Sequence, residues 1–153
     1  CQSEFFREVV GFKDGPPPEV NLFNEKNNGL LVQMLISKKL VNSAHDVSSG
    51  GILVTLSEMC IPGKIGAQIK IPRDDIGLHE YFFGEDQSRY LIEISTKNND
   101  EVSKILEKNS IYYEIIGKTQ KDSLDLNKEF SINLNVLSEL NSSWFKNYYK
   151  ENE

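Results

Sequence analysis

Two short polar clusters hold the side chains of this sequence that could do chemistry. The first spans residues 45–51, His-Asp-Val-Ser-Ser-Gly-Gly. A carboxylate at the end of a strand, facing the N–H groups that begin a helix, can hold a metal ion whose other ligands are phosphate oxygens. Paired glycines let a ligand approach the backbone closely. Asp46 is therefore a candidate metal ligand, and Ser48, Gly50 and Gly51 form a candidate turn facing an anion or nucleotide.

A purely structural role also explains this first cluster. Asp and Ser are common at helix N-caps, and glycines are common in tight turns, so the same residues could serve only to begin a helix. Residue types alone favour this structural interpretation.

The second cluster spans residues 83–89, Phe-Gly-Glu-Asp-Gln-Ser-Arg. Glu85, Asp86, Gln87 and Arg89 could together grip a polar ligand through hydrogen bonds and charge. The alternative is a solvated loop in which Arg89 neutralises one of the carboxylates, a contact usually worth under about 1 kcal/mol when exposed. Residue types alone again favour the structural alternative.

Zinc and thiol chemistry have little support, and no residue is assigned a catalytic role. His45 and His79 have no second His or Cys at metal-ligand spacing. Cys60 falls on the apolar face of a predicted helix, which indicates a core position. The aromatic pairs at 144–145 and 148–149 indicate packing or a docking face onto a neighbouring domain.

Alternating strand and helix patterns must position the two clusters. Apolar spacing predicts helices over residues 21–41, 52–60, 100–108 and 135–149, and a short helical turn over 74–83. Strands are predicted over residues 43–47, 67–71, 89–95 and 111–116, with a closing ribbon of 123–126 and 130–134. This order predicts an α+β or α/β sandwich in which a mixed β-sheet packs with helices.

Composition excludes several classes of protein. With 153 residues, 39% hydrophobic and 26% charged, the chain has the size and content of one globular domain. Its net charge of −6 argues against a nucleic-acid or polybasic membrane surface. Two cysteines fit a reducing, cytoplasmic compartment. Because the sequence opens at Cys1 without a start methionine, we expect a fragment.

An ordered set of motifs makes the sequence recognisable. They are Gln-Ser-Glu-Phe at 2–5, Gly-Pro-Pro-Pro at 15–18, Glu-Lys-Asn-Asn-Gly at 25–29, Ala-His-Asp-Val-Ser at 44–48, Gly-Gly at 50–51, the 83–89 cluster, and Ile-Gly at 116–117. Together they closely resemble the C-terminal domain of the phosphoribosylformylglycinamidine synthase (PurL) family, within the aminoimidazole ribonucleotide synthetase superfamily. The chain departs from the family at Ser49, where Asp is usual, and at Cys1, where glycine is common.

The resemblance implies a domain organisation and a reaction. Residues 1–18 would be a connector with a remnant of the domain's N-terminal part, and 19–153 the C-terminal aminoimidazole ribonucleotide synthetase-like domain. The family uses ATP, Mg²⁺ and glutamine-derived ammonia to convert formylglycinamide ribonucleotide to its amidine. The resemblance also implies a polypeptide of two similar halves, with the chemistry in the first half and this chain in the second, auxiliary half. By this internal symmetry Asp46 would match a Mg²⁺-binding aspartate of the first half, and Glu85, Asp86 and Gln87 its substrate-contacting loop. The fragment alone is therefore expected to be inactive and to hold no cofactor tightly.

The resemblance also implies partners, and it leaves alternatives open. The expected partners are the N-terminal domains of the same chain, a glutaminase subunit and a small PurS-type subunit, with no nucleic acid and no membrane. One alternative is a purely structural or docking module of that enzyme. Another is a different superfamily member, such as a selenophosphate synthetase or thiamine-monophosphate kinase; the 83–89 cluster and the Gly-Pro-Pro-Pro connector count against it.

Overall fold

A computed structural model describes residues 3–70, 76–126 and 130–151 of the chain. The chain divides into two units. The first consists of Cys1–Thr55 and Asp75–Glu114, and the second of Leu56–Asp74 and Ile115–Glu153. Each unit is described by itself.

The described helices and strands alternate as far as β4, after which two further strands precede the last helix. In order they are α1 (Leu22–Ser37), β1 (Ser43–Asp46), α2 (Gly51–Gly63), β2 (Gly66–Ile69), α3 (Leu78–Phe83), β3 (Tyr90–Glu93), α4 (Asn99–Lys108), β4 (Gly117–Gln120), β5 (Ser123–Leu126), β6 (Phe130–Asn133) and α5 (Leu134–Glu151). A π-helical segment (Phe5–Val10) precedes α1, and a 3₁₀ turn (Thr96–Asn98) precedes α4.

Helix α1 begins at a side-chain cap. The Asn21 side-chain oxygen accepts hydrogen bonds from the N–H groups of Phe23 and Asn24, at 3.1 and 3.0 Å. These bonds satisfy two of the N–H groups that a helix start leaves without partners. The cap fixes where α1 begins and therefore which of its residues face the core.

The core of the first unit lies between α1 and α4. Its buried residues are Leu31, Leu35, Leu40, Val102 and Leu106. The spacing of Val102 and Leu106 by four residues puts both on one face of α4, as its apolar pattern predicts. Ile92 of β3 and Ile94, just after the strand, pack against the same core.

Strands β1 and β3 form an antiparallel pair in the first unit. Its register places Ser43 opposite Glu93 and Asp46 opposite Tyr90. In an antiparallel pair the end of one strand lies beside the start of the other. The turn that follows β1 and the loop that precedes β3 therefore meet at one end of the pair.

The second unit contains a four-stranded sheet in the order β4-β2-β5-β6. Strand β2 is antiparallel to β4 and parallel to β5, and β5 is antiparallel to β6. The predicted ribbon of residues 123–126 and 130–134 is confirmed as β5 and β6, and the sheet is mixed, as expected. With the helices, this confirms the predicted α+β class.

One predicted strand is wrong, and helices α2 and α5 extend beyond their predicted bounds. Residues 111–116 form no strand; the strand is instead β4, which begins at Gly117. Ser110 turns the chain through a left-handed conformation, and the Ile111 N–H closes onto the Leu106 carbonyl, so the segment leaves α4 irregularly. Helix α2 continues through Pro62 to Gly63 rather than ending at Cys60.

Some predicted positions lie outside the described residues. They are residue 71 of the strand predicted over 67–71, residues 74–75 of the helical turn predicted over 74–83, and positions 1 and 2 of the N-terminal motif. In the described part of the chain, no helix is long and apolar enough to cross a membrane. Helix α5 exposes a set of large apolar residues: Val136, Leu140, Trp144, Phe145, Tyr148 and Tyr149.

Candidate functional site

The glycine turn, residues 48–51, joins β1 to α2 through two left-handed glycines. Gly50 and Gly51 have φ angles of 83° and 69°, a conformation that side-chain-bearing residues rarely adopt. A Cβ on Gly51 would lie 2.5 Å from the Phe82 carbonyl oxygen and 2.8 Å from that of Gly84. The turn therefore rests directly on the backbone that opens the second cluster.

Glu85 links the two clusters by hydrogen bonds. Its Oε1 atom accepts from the N–H of Gly50 at 2.8 Å and from the N–H of Glu4 at 2.8 Å. The Gly51 N–H donates to the Ser48 carbonyl at 3.0 Å. The structure thus brings the predicted turn and the predicted loop together, at the end of the β1–β3 pair.

Asp46 lies at the last position of β1, beside the glycine turn. Its side chain is 65% exposed, and its Oδ1 lies 3.6 Å from His45 Nδ1. The Asp46 carbonyl accepts a 3.4 Å hydrogen bond from the buried Thr55 hydroxyl, which also donates to the Gly51 carbonyl at 3.1 Å. Its backbone is thereby fixed to α2, while its carboxylate faces solvent.

Arg89 holds the loop of residues 84–89 in place. Its guanidinium donates to the Gly84 carbonyl and, at 3.4 Å, to the Asp86 carbonyl, and lies 4.0 Å from the Asp86 carboxylate. Burial lowers the pKa of Arg89, while the nearby Asp86 raises it. Asp86 and Gln87 are exposed. Arg89 therefore stabilises the loop from within, and the side chains beside Glu85 remain accessible.

Sequence reasoning missed four residues, Ser88, Glu4, Glu25 and Asn28, that hold the edge formed by the glycine turn and the loop of residues 84–89. Ser88 has a φ of 66°, donates its hydroxyl to Glu25 at 2.7 Å, and accepts at its carbonyl from the Asn28 amide at 2.8 Å. Glu4 contributes its backbone N–H to Glu85. The 2–5 and 25–29 motifs contain Glu4, Glu25 and Asn28, so a signal was present, although spacing alone gave no reason to place them here.

The pKa of Tyr90 reflects both burial and the negative charge at the same edge. Burial raises the pKa of its hydroxyl, and the carboxylates of Glu25 and Asp46 raise it further. A Cβ on Gly29 would lie 3.3 Å from that hydroxyl, so α1 packs closely here. The edge is acidic and partly enclosed by α1.

The residues present fit a magnesium ion only in a limited way. Mg²⁺ is usually bound through one or two carboxylates, with phosphate oxygens and water completing the octahedron. Asp46 offers one accessible carboxylate, and Ser49 adds none. Across residues 3–70, 76–126 and 130–151, no group of three or more His, Cys, Asp or Glu side chains could hold a metal ion. Asp46 could therefore serve as a single ligand to an ion that arrives with phosphate.

The fold belongs to a known class of domain. The family described as AIR synthase related protein, C-terminal domain, matches residues 4–127. The chain belongs to this family. The family resemblance predicted from the ordered motifs is thereby confirmed.

Individual relatives carry more specific names. Phosphoribosylformylglycinamidine synthase subunit PurL of Pelagibacter ubique is 46% identical over 147 residues, which is 96% of this chain and 20% of that protein. The chain thus spans about a fifth of the length of this curated relative.

Solved structures share the fold at lower identity. T. maritima PurL complexed with FGAR superposes with a TM-score of 0.72 at 19% identity, over 88% of this chain and 24% of that one. T. maritima PurL complexed with ATP gives 0.69 at 19% identity, over 82% and 23%. The structure of PurLQS from Thermotoga maritima gives 0.67 at 19% identity, over 87% and 24%. At this identity the likeness establishes the fold.

Proposed function

We propose that this chain is the C-terminal domain of a phosphoribosylformylglycinamidine synthase. In this proposal the whole protein is a carbon–nitrogen ligase of purine biosynthesis that converts formylglycinamide ribonucleotide to its amidine with ATP, Mg²⁺ and glutamine-derived ammonia. The observation that carries it is the 46% identity to a PurL subunit over 96% of the chain. Because the chain spans about a fifth of that relative, the activity is assigned to the whole protein.

The glycine turn and its neighbouring loop form the ligand-facing edge in this proposal. Asp46 would contribute a carboxylate to Mg²⁺, and the turn of Ser48, Gly50 and Gly51 would lie next to the nucleotide. The loop of residues 85–87 would face the substrate, with Glu85 bound to the Gly50 and Glu4 N–H groups and the exposed Asp86 and Gln87 side chains open to the ligand. The structure of T. maritima PurL complexed with ATP supports ATP as the nucleotide of the whole enzyme. When bound, Mg²⁺ would neutralise phosphate charge. Arg89 and Ser88 would hold the loop that faces the substrate.

The partners follow from the same assignment. They are the N-terminal domains of the same polypeptide, a glutaminase subunit and a small PurS-type subunit, in the cytoplasm. The structure of PurLQS from Thermotoga maritima, which shares this fold, supports an assembly of several subunits. The exposed apolar side chains of α5 favour a second role for the domain as a docking module within that assembly.

A domain exchange tests the proposed function. The matching region of the Pelagibacter ubique PurL subunit is replaced by this chain, and ATP- and glutamine-dependent amidine formation is measured with the purified partner subunits. We expect turnover to be retained within about tenfold of the parent, since cores of similar pattern tolerate many hydrophobic substitutions.

The matched control is the same chimera with the buried core residue Leu35 changed to Asp, which should abolish soluble enzyme. A chimera that melts cooperatively near the parent temperature, yet forms no amidine, would contradict the assignment.

A further inference from the structure

The Glu85 carboxylate joins three separate parts of the first unit. Its Oε1 accepts from the backbone N–H groups of Gly50 and Glu4, each at 2.8 Å, across sequence separations of 35 and 81 residues. Hydrogen bonds from backbone N–H to a carboxylate are shorter and roughly twice as strong as neutral ones. One side chain therefore ties the N-terminal segment, the glycine turn and the loop before β3 to a single point.

The two glycine amides of the turn already have partners within the chain. Gly50 N–H donates to Glu85, and Gly51 N–H donates to the Ser48 carbonyl at 3.0 Å. The first N–H groups of a helix form the positions at which proteins commonly bind phosphate and other anions. At the start of α2, the group that the Gly50 amide binds is a carboxylate of the chain itself.

The loop fixes Glu85 in this orientation and leaves its neighbour exposed. Arg89 donates to the carbonyls of Gly84 and Asp86, the two residues that flank Glu85, and so fixes the backbone of the loop. The Asp86 side chain is 66% exposed and lies 4.0 Å from Arg89. Two consecutive carboxylates therefore have different surroundings, since Glu85 binds backbone N–H groups and Asp86 faces solvent.

We propose that Glu85 is a positioning residue whose carboxylate joins the N-terminal segment to the glycine turn, an arrangement called the clasp below. Because this carboxylate already accepts from the Gly50 amide, external phosphate does not bind that amide. The proposal goes beyond the proposed function and stands on the geometry of this chain alone. The residues of the loop then have separate roles, because Glu85 holds the edge together while Asp86 and Gln87 remain available to a ligand.

Amide hydrogen exchange, followed residue by residue by NMR on the ¹⁵N-labelled chain, tests the clasp. In Glu85→Ala the amides of Gly50 and Glu4 should exchange roughly tenfold to a hundredfold faster, because both lose a charge-assisted hydrogen bond. Glu85→Gln keeps an acceptor oxygen without the charge and should give intermediate rates. Asp86→Ala, which removes the adjacent carboxylate, is the matched control and should leave both rates within about twofold.

Two results would overturn the proposal. One is unchanged exchange at Gly50 and Glu4 in Glu85→Ala or, if that variant does not fold, in Glu85→Gln. The other comes from titrating the unsubstituted chain with inorganic phosphate: saturable shifts of the Gly50 and Gly51 amide resonances would show that the turn is open to anions. Faster exchange confined to the two amides, with no phosphate-induced resonance shift, supports the clasp. The result of this hydrogen-exchange test does not depend on whether the domain exchange restores amidine formation.

Discussion

At the scale of single residues, neighbouring side chains of the edge differ sharply in what they contact. Glu85 binds two backbone N–H groups, whereas Asp46, Asp86 and Gln87 expose their polar atoms. A side chain that binds backbone contributes to stability, while an exposed one contributes little unless it meets a ligand. The effects of substitutions at this edge on stability and on turnover therefore show whether the edge binds a ligand or serves only the structure.

Asp46→Ala and Gln87→Ala, made separately in the complete enzyme, provide that separation. We expect each to lower turnover much less than the matching substitution in the first half, on the order of tenfold or less. Loss of a ligand to a catalytic metal removes transition-state stabilisation, whereas loss of a local hydrogen bond costs only about 0.5–1.5 kcal/mol. Steady-state kinetics beside a melting curve decides. If Gln87→Ala abolished turnover at an unchanged melting temperature, the domain would be catalytic.

Gly51→Ala should destabilise the chain. The φ of 69° is unfavourable for alanine, and its Cβ would lie 2.5 Å from the Phe82 carbonyl oxygen, so the free energy of unfolding should fall by about 1–3 kcal/mol. Urea denaturation measures this. Gly63→Ala is the control, because a Cβ there meets nothing within 4 Å. Equal stability of the two variants would contradict the close approach.

At the scale of elements, α1 supports the edge from one face and the core from the other. Leu35 is completely buried among the residues that join α1 to α4, whereas Leu30 on the same helix is 53% exposed. Leu35→Ala should therefore lower the free energy of unfolding by about 2–5 kcal/mol, through lost burial and a residual cavity. Leu30→Ala, the same chemical change, should alter it by less than about 0.5 kcal/mol. Chemical denaturation of both gives the comparison.

Helix α2 carries a buried thiol whose ionisation opposes folding. Cys60 is 5% exposed, and burial raises the pKa of its thiol. The unfolded chain ionises at the ordinary thiol pKa of about 8.5, so the stability contributed by the neutral thiol is complete below that pH and falls above it.

In a Cys1→Ser chain, alkylation of Cys60 at a pH of about 8.5 should be at least about tenfold slower than in urea-unfolded chain. Stability should also fall more steeply above that pH than in Cys60→Ala. Rapid alkylation of the folded chain would contradict this burial.

Local pattern predicted the elements that depend on neighbours close in sequence. Helix α4 follows from apolar spacing around Val102 and Leu106, and the β5–β6 ribbon from two short strands that lie close together in the chain. Residues 111–116 have the composition of a strand but leave α4 through a left-handed turn, which periodicity does not encode. The Glu85 contacts to Glu4 and Gly50 join positions far apart in sequence. Residue spacing therefore predicted where each polar cluster lies in the chain but not the hydrogen bonds that connect them.

At the scale of the whole molecule, the edge of the first unit presents exposed polar side chains. Asp46, the glycine turn and the 85–87 loop lie in the first unit, where the Asp46 and Asp86 carboxylates are both exposed. The described residues hold no group of three or more His, Cys, Asp or Glu side chains that could bind a metal ion. Ligand pockets usually bury most of a ligand's surface. On the proposed function, other domains of a longer protein would therefore complete the nucleotide site at this edge.

The 153-residue chain by itself should accordingly show no amidine formation and little ATP affinity. It has no P-loop sequence, its Gly50 and Gly51 amides bind groups of the chain, and Asp46 offers a single exposed carboxylate. Calorimetric titration with ATP and Mg²⁺ should give a dissociation constant weaker than about 1 mM, which corresponds to only about 4 kcal/mol of binding free energy. Asp46→Ala in the same titration should change nothing measurable. Tight binding that the variant abolishes would instead make Asp46 a metal ligand within this domain, and would make the further domains of the proposed whole protein unnecessary for holding the nucleotide.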